Sequence, residues 1–152
     1  TGFRPLAAGE AGERERAGRQ QLLELARREG VRAMAERWVQ GMVHPARLGS
    51  ELVSRIVEMF GRRSADDFGR QIQALLARPD AGPVLPTLHC PTLVLCGRED
   101  SWAPVAQHEA LQQGIPGSVL AVIDDCGHMS PMEQPQAVSD ALASWLNGVS
   151  GA

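Results

Sequence analysis

Thr92-Leu93-Val94-Leu95-Cys96-Gly97-Arg98-Glu99-Asp100 and Val119-Leu120-Ala121-Val122-Ile123-Asp124-Asp125-Cys126-Gly127-His128 are the two segments whose reading decides the fold. Each begins as an unbroken apolar run and ends in a polar loop. Continuous apolar runs suit parallel strands covered on both faces, whereas strands with one solvated face alternate. About twenty residues separate the runs, room for one crossover helix, so the pair reads as a βαβ unit. That helix is expected from Val105 to Gln113, with Pro104 at its start and Gly114 at its end. Both loops of such a unit leave from the carboxyl end of the sheet, where open α/β sheets place ligands. Neighbouring strands lie about 4.8 Å apart, so Asp100 and His128 come within reach of each other. The sequence therefore predicts a carboxylate beside an imidazole.

An acid beside a histidine supplies two parts of a nucleophile relay. The carboxylate fixes the ring tautomer and steadies the imidazolium, while the other ring nitrogen takes a proton from a Ser, a Cys or water. Glu99, Asp124 and Asp125 compete with Asp100 for the acid role, and an Asp after a strand also commonly makes an Asx-turn or an N-cap. Gly127, just before His128, lets the backbone turn where a Cβ would obstruct.

Pro91 through Asp100, then Pro104, Cys126-Gly127-His128, Glu133 and Pro135 together resemble the C-terminal part of an α/β-hydrolase, over residues 86–147. In that family the chain order is Ser, Asp or Glu, then His. The resemblance implies Asp100 as the orienting acid after the seventh strand and His128 as general base after the eighth. It further implies a serine hydrolase of a carboxylic ester or related acyl substrate, working through a Ser-His-Asp triad. Lactonase, C–C hydrolase, haloperoxidase-like and dehalogenase chemistries fall under the same resemblance, the last with an Asp nucleophile.

The chain also departs from that pattern. No serine has glycines at both flanking positions of a Gly-x-Ser-x-Gly elbow, and no His-Gly oxyanion loop is present. Thr1-Gly2-Phe3-Arg4-Pro5 resembles the exit of the sixth family strand. The expectation is a partial α/β-hydrolase fold whose nucleophile lies outside this chain, which by itself would be inactive. Residues 1–86 would form the helical cap (lid), and residues 87–152 the C-terminal part of the core. The expected partners are a small-molecule substrate and either the N-terminal half of the core or a second copy through the open edge of the Thr92–Cys96 strand. A reading from another class makes the chain an inactive assembly or dimerisation module that uses the same edge.

Composition is that of an ordinary globular chain, with 43% apolar and 22% charged residues among 152. The net charge of −3 offers no argument for nucleic acid or a membrane surface, and no segment approaches the roughly 18 apolar residues of a span. Three cysteines, an odd number, argue against a disulfide framework and for a reducing compartment, with the cytoplasm as the default location. His89, Cys90, Cys96, Cys126 and His128 lack Cys-x-x-Cys or His-x-x-x-His spacing, and no nucleotide or flavin motif is present, so no metal or cofactor is expected. Cys90 and Cys96 read as small buried hydrophobes.

The first half reads as four helices without an intervening strand. Glu13-Arg14-Glu15-Arg16 opens a charged helix whose apolar face is Leu22, Leu23, Leu25 and Ala26. Val31, Met34, Ala35, Trp38, Val39 and Met42 then make one helical stripe, stopped by Gly41 and His44-Pro45. Leu52, Ile56, Met59 and Phe60 follow behind a Ser50 N-cap, and Phe68, Ile72, Leu75 and Leu76 behind a Ser64–Asp67 capping box. By the resemblance this layer covers the cleft, with Trp38, Met42 and Phe60 as candidate substrate-lining residues beside Trp102 and Met129. Packing among the helices themselves is the plainer reading of the first three. Three prolines in Pro83–Pro91 should keep that connector extended. The last helix should start at Pro135, bury Val138, Ala141, Leu142, Trp145 and Leu146, and stop at Asn147-Gly148.

Overall fold

The computed structural model describes residue 7 and residues 9–150. The Thr1–Pro5 segment that resembles a strand exit lies outside them. Contacts divide the described residues into two units: one holds those up to Gln40 together with Gly49–Ala81, the other Gly41–Leu48 and those from Gly82 onward. The sequence boundary at 86/87 thus differs from the contact boundary, which falls earlier and assigns Gly41–Leu48 to the later unit.

The first unit is helical: α1 (Glu10–Glu29), α2 (Val31–Trp38), α3 (Glu51–Gly61) and α4 (Ala65–Leu76). Gly30, at φ +92°, separates α1 from α2 in a backbone conformation that a side chain would strain. The Val31 stripe does not continue as one helix to Met42, because α2 gives way to a 3₁₀ turn at Val39–Gly41. Leu23, Ala26, Val31, Met34, Phe68 and Ile72 form the core of this unit. Trp38 packs against Phe60 and Phe68 at ring-centroid separations of 5.1 and 5.4 Å. Ser64 caps α4 as expected, its hydroxyl accepting from the Asp67 amide while the Asp67 carboxylate accepts from the Ser64 amide. Ser50 occupies the N-cap position of α3 but makes no capping bond, and its hydroxyl is buried without a partner. Within α3 the buried residues are Ile56 and Val57, and Met59 faces solvent.

The second unit contains the βαβ module. β1 (Leu93–Gly97), α5 (Val105–Gly114) and β2 (Val119–Ile123) follow the expected order, and the strands pair in parallel from Leu93↔Val119 to Gly97↔Ile123. Among the described residues the sheet is two-stranded and parallel, the βαβ arrangement that the resemblance implies for the end of such a core. α6 (Ser130–Glu133) and α7 (Pro135–Ser150) complete it.

Several expectations fail here for tertiary reasons. The proline-rich connector is not extended, since Gly82–Thr87 forms a 3₁₀ helix that contains Pro86 and buries Leu85. Pro supplies the φ that such a turn needs and loses only a donor that the turn can spare. Cys90 is exposed, although Cys96 and Cys126 are buried. α7 runs through Asn147-Gly148 to Ser150, and of its expected buried residues only Val138 is buried. Leu142 and Leu146 are 43% and 54% exposed, and Val119 on β2 is 52% exposed. Two strands about 4.8 Å apart make a surface narrower than a helix about 10 Å across, so they bury only part of α7.

Candidate functional site

Gly97 ends β1 where the two strand-end loops come closest. The Arg98 amide donates to Ile123 O (2.8 Å) and the Glu99 amide to Cys126 O (2.9 Å), extending the parallel ladder beyond the strands. Glu99 returns the contact, its Oε2 accepting from the Cys126 amide at 2.9 Å. A Cβ on Gly97 would overlap the carbonyl oxygens of Cys126 and Gly127 and sit 2.6 Å from the Cys126 carbonyl carbon. Only glycine allows the loops to lie this close.

That approach brings Asp100 to His128. Asp100 is 5% exposed and divides its carboxylate between two tasks. Oδ1 accepts from the amides of Trp102 and Ala103, both at 2.9 Å, the Asx-turn geometry common after strands. Oδ2 lies 2.8 Å from His128 Nδ1. The two readings of Asp100, local turn and partner of His128, are both realised, one on each oxygen. Two of the competing acids, Asp124 and Glu99, are engaged elsewhere. Asp124 pairs with Arg98, Glu99 holds the Cys126 amide, and Asp125 adopts φ +51° with its carbonyl receiving Arg47.

His128 keeps its ring one-third exposed, at 32% of side-chain area. Among the described residues its Nε2 has no hydrogen-bond partner. Its backbone amide donates to Met42 O at 2.8 Å. Trp102 stacks beside the ring, with centroids 5.2 Å apart and planes tilted by 49°. Gly127 is needed here for close approach rather than for turning, because a Cβ would meet Met42 O, Val43 C and His44 N at 2.8–2.9 Å.

Of the expected lining residues, Trp102 lies against the imidazole and the half-buried Met129 follows it in the chain. Met42 is 2% exposed and reaches His128 through its carbonyl, so its side chain offers no surface. Trp38 and Phe60 belong to the aromatic core of the helical unit. The segment from Met42 to Arg47 went unrecognised in the sequence as part of the His128 environment. The only hint of it was the broken helical stripe at Gly41 and His44-Pro45. Burial pushes the Cys126 thiol up to about 12, with the Glu133 carboxylate adding to the shift, so this sulfur is an inert neighbour of His128. Among the described residues no three His, Cys, Asp or Glu side chains cluster as metal ligands would, and no helix is long and apolar enough to cross a membrane.

Comparison with known proteins gives a consistent result. Residues 3–141 match the family model described as alpha/beta hydrolase family. A 2-hydroxy-6-oxononadienedioate/2-hydroxy-6-oxononatrienedioate hydrolase of Klebsiella pneumoniae is 33% identical over 95 residues, which are 61% of this chain and 33% of that protein. A thermophilic esterase from Thermogutta terrifontis, solved with malate bound, superimposes with a TM-score of 0.84 at 33% identity, covering 98% of this chain and 54% of that one. The enol-lactonase of Burkholderia xenovorans LB400 does so with a TM-score of 0.75 at 25% identity, covering 84% and 49%. The chain thus spans about a third of the length of the curated relative and about half of these solved structures.

Proposed function

The chain belongs to the alpha/beta hydrolase family, and we propose that it contributes the acid and base of a serine hydrolase acting on a carboxylic ester or related acyl bond. The observation that carries this reading is the 2.8 Å contact between Asp100 Oδ2 and His128 Nδ1, with Nε2 unpartnered on a partly exposed ring. Asp100 holds the tautomer with the proton on Nδ1, leaving the Nε2 lone pair to take a proton from an attacking hydroxyl. The buried carboxylate then stabilises the imidazolium, which returns the proton to the leaving alkoxide. The serine lies outside this chain, where no Ser has the flanking glycines of a nucleophile elbow. Trp102 and Met129 line the approach to His128. The esterase and enol-lactonase neighbours support an acyl substrate, open-chain or cyclic.

The exposed apolar side chains of Val119 and Leu142 would be covered by the remaining strands and helices of the core, supplied by a preceding region or a separate polypeptide. A second copy paired through the open edge of the Thr92–Cys96 strand is the assembly-module reading, and light scattering distinguishes a dimer from a monomer. Three free thiols support a cytoplasmic location.

The direct test replaces the matched segment of the Thermogutta terrifontis esterase with this chain. The chimera should hydrolyse an activated aryl ester and be labelled by a serine-reactive phosphonate. Asp100→Asn and His128→Ala should each lower its kcat on the order of 10³ to 10⁴. Near-normal turnover in a folded His128→Ala chimera would sink the proposal.

A further inference from the structure

Asp100 fixes the His128 ring, but something else must fix the loop that carries it. Gly127 and Met129, the residues on either side of His128, both donate their amides to Glu133 Oε1, at 3.0 and 3.1 Å. Glu133 Oε2 accepts the His44 amide at 2.7 Å and lies 4.0 Å from Arg47 Nη1. Arg47 is itself anchored to the loop, donating to Asp125 O (2.6 Å) and Glu133 O (3.2 Å). Between these bonds the His128 amide donates to Met42 O. Three consecutive amides, 127 to 129, are therefore tied to one carboxylate and to the strand of backbone that this carboxylate also holds.

The Glu133 side chain has no solvent exposure. A buried carboxylate costs several kcal/mol unless it is well bonded; here three amides donate to it, and the Arg47 guanidinium stands 4.0 Å away as an opposite charge. The three amides donate and both carboxylate oxygens accept. Glutamine, of the same size, would turn an NH₂ group towards an amide N–H.

We infer that Glu133 is the positioning residue of His128: by gathering the amides of Gly127, Met129 and His44 it sets the loop at the depth where Nδ1 meets Asp100. This inference rests on the reading of His128 as the base. Glu133 does not touch the ring, and it acts through the backbone. A loop displaced by about 1 Å would lengthen the 2.8 Å contact beyond hydrogen-bonding distance, and misplacements of that size cost on the order of 10²-fold in rate.

The experiment is nitrogen-15 and proton NMR of the His128 ring in the full chain, with amide exchange followed residue by residue. The wild type should show a low-field Nδ1 proton and protected amides at His44, Gly127 and Met129. Glu133→Gln should lose that resonance and speed exchange at the three amides on the order of tenfold or more, with β1 and β2 amides still protected. Glu133→Asp, which keeps the charge but is one methylene shorter, should weaken the resonance, and it carries the test if the Gln variant does not fold. A purely structural role would lower the melting temperature and leave the ring resonance in place. That result, in either folded variant, overturns the inference. Asp100→Asn is the separate control: if it leaves the low-field proton unchanged, the Asp100–His128 reading fails whatever Glu133 does.

Discussion

Gly97→Ala should be the most damaging single-methyl change in the β-containing unit. The new Cβ would stand 2.6 Å from the Cys126 carbonyl carbon, whereas carbon atoms in contact sit about 3.5 Å apart or more, so the loops must part by about 1 Å. Three hydrogen bonds span that gap: Arg98 N to Ile123 O at 2.8 Å, Glu99 N to Cys126 O at 2.9 Å, and Cys126 N to Glu99 Oε2 at 2.9 Å. Stretched by about 1 Å, each falls outside bonding range, at a net cost of about 1 kcal/mol apiece. Residual overpacking brings the total to roughly 3–5 kcal/mol, a large part of the ~5–15 kcal/mol that holds a domain folded. Thermal melts followed by circular dichroism should show a midpoint roughly 6–20 °C lower, with a matching fall in the urea midpoint. Gly117→Ala is the comparison, since at φ +73° with no atom within 4 Å it carries only the conformational penalty of about 1–2 kcal/mol. If Gly97→Ala melts within a few degrees of wild type, or above Gly117→Ala, the close-approach argument is refuted.

Two serines that look alike as helix caps should behave oppositely. Ser64→Ala should cost about 1 kcal/mol by removing the capping bond, while Ser50→Ala should be neutral or stabilising, because it deletes a buried hydroxyl that has no partner; denaturant midpoints of the two variants decide this. The Ser64 hydroxyl and amide, with Arg70, hold the Asp67 carboxyl below its ordinary value, so the benefit of the box is present above the unfolded pKa and is lost as pH falls through the lower folded one. At alkaline pH the sign reverses for Cys126. Its folded pKa of about 12 exceeds the ordinary 9.0, so stability is full below about pH 9 and declines as pH rises toward 12, a slope that Cys126→Ala should flatten in urea titrations. Alkylation at neutral pH, followed by peptide mass mapping, should modify exposed Cys90 well before buried Cys96 or Cys126.

Local chemistry explains what was legible from the chain. The apolar runs set β1 and β2 to within a residue, Gly114 closed α5, and the Ser64–Asp67 spacing produced the capping box. Parallel-strand geometry brought the acid-bearing loop to His128, because adjacent strand ends have little freedom in where they deliver their loops, and the family resemblance selected Asp100 among the four acids there. Assigning the burial of α7 failed because periodicity records which residues are apolar, not what lies against them.

By itself, then, the sequence determined the βαβ order, the parallel pairing and the acid–imidazole pair, since each depends on residues close in sequence or on strand geometry common to all such units. Only the tertiary structure decided that Ser50 is not a cap, that Met42 serves through its carbonyl, that Gly127 makes room for Met42–His44, and that one buried carboxylate gathers the amides around His128. The contacts of Met42–His44 with Gly127, His128 and Glu133 join segments more than 80 residues apart, and no local pattern encodes a partner that folding alone brings near.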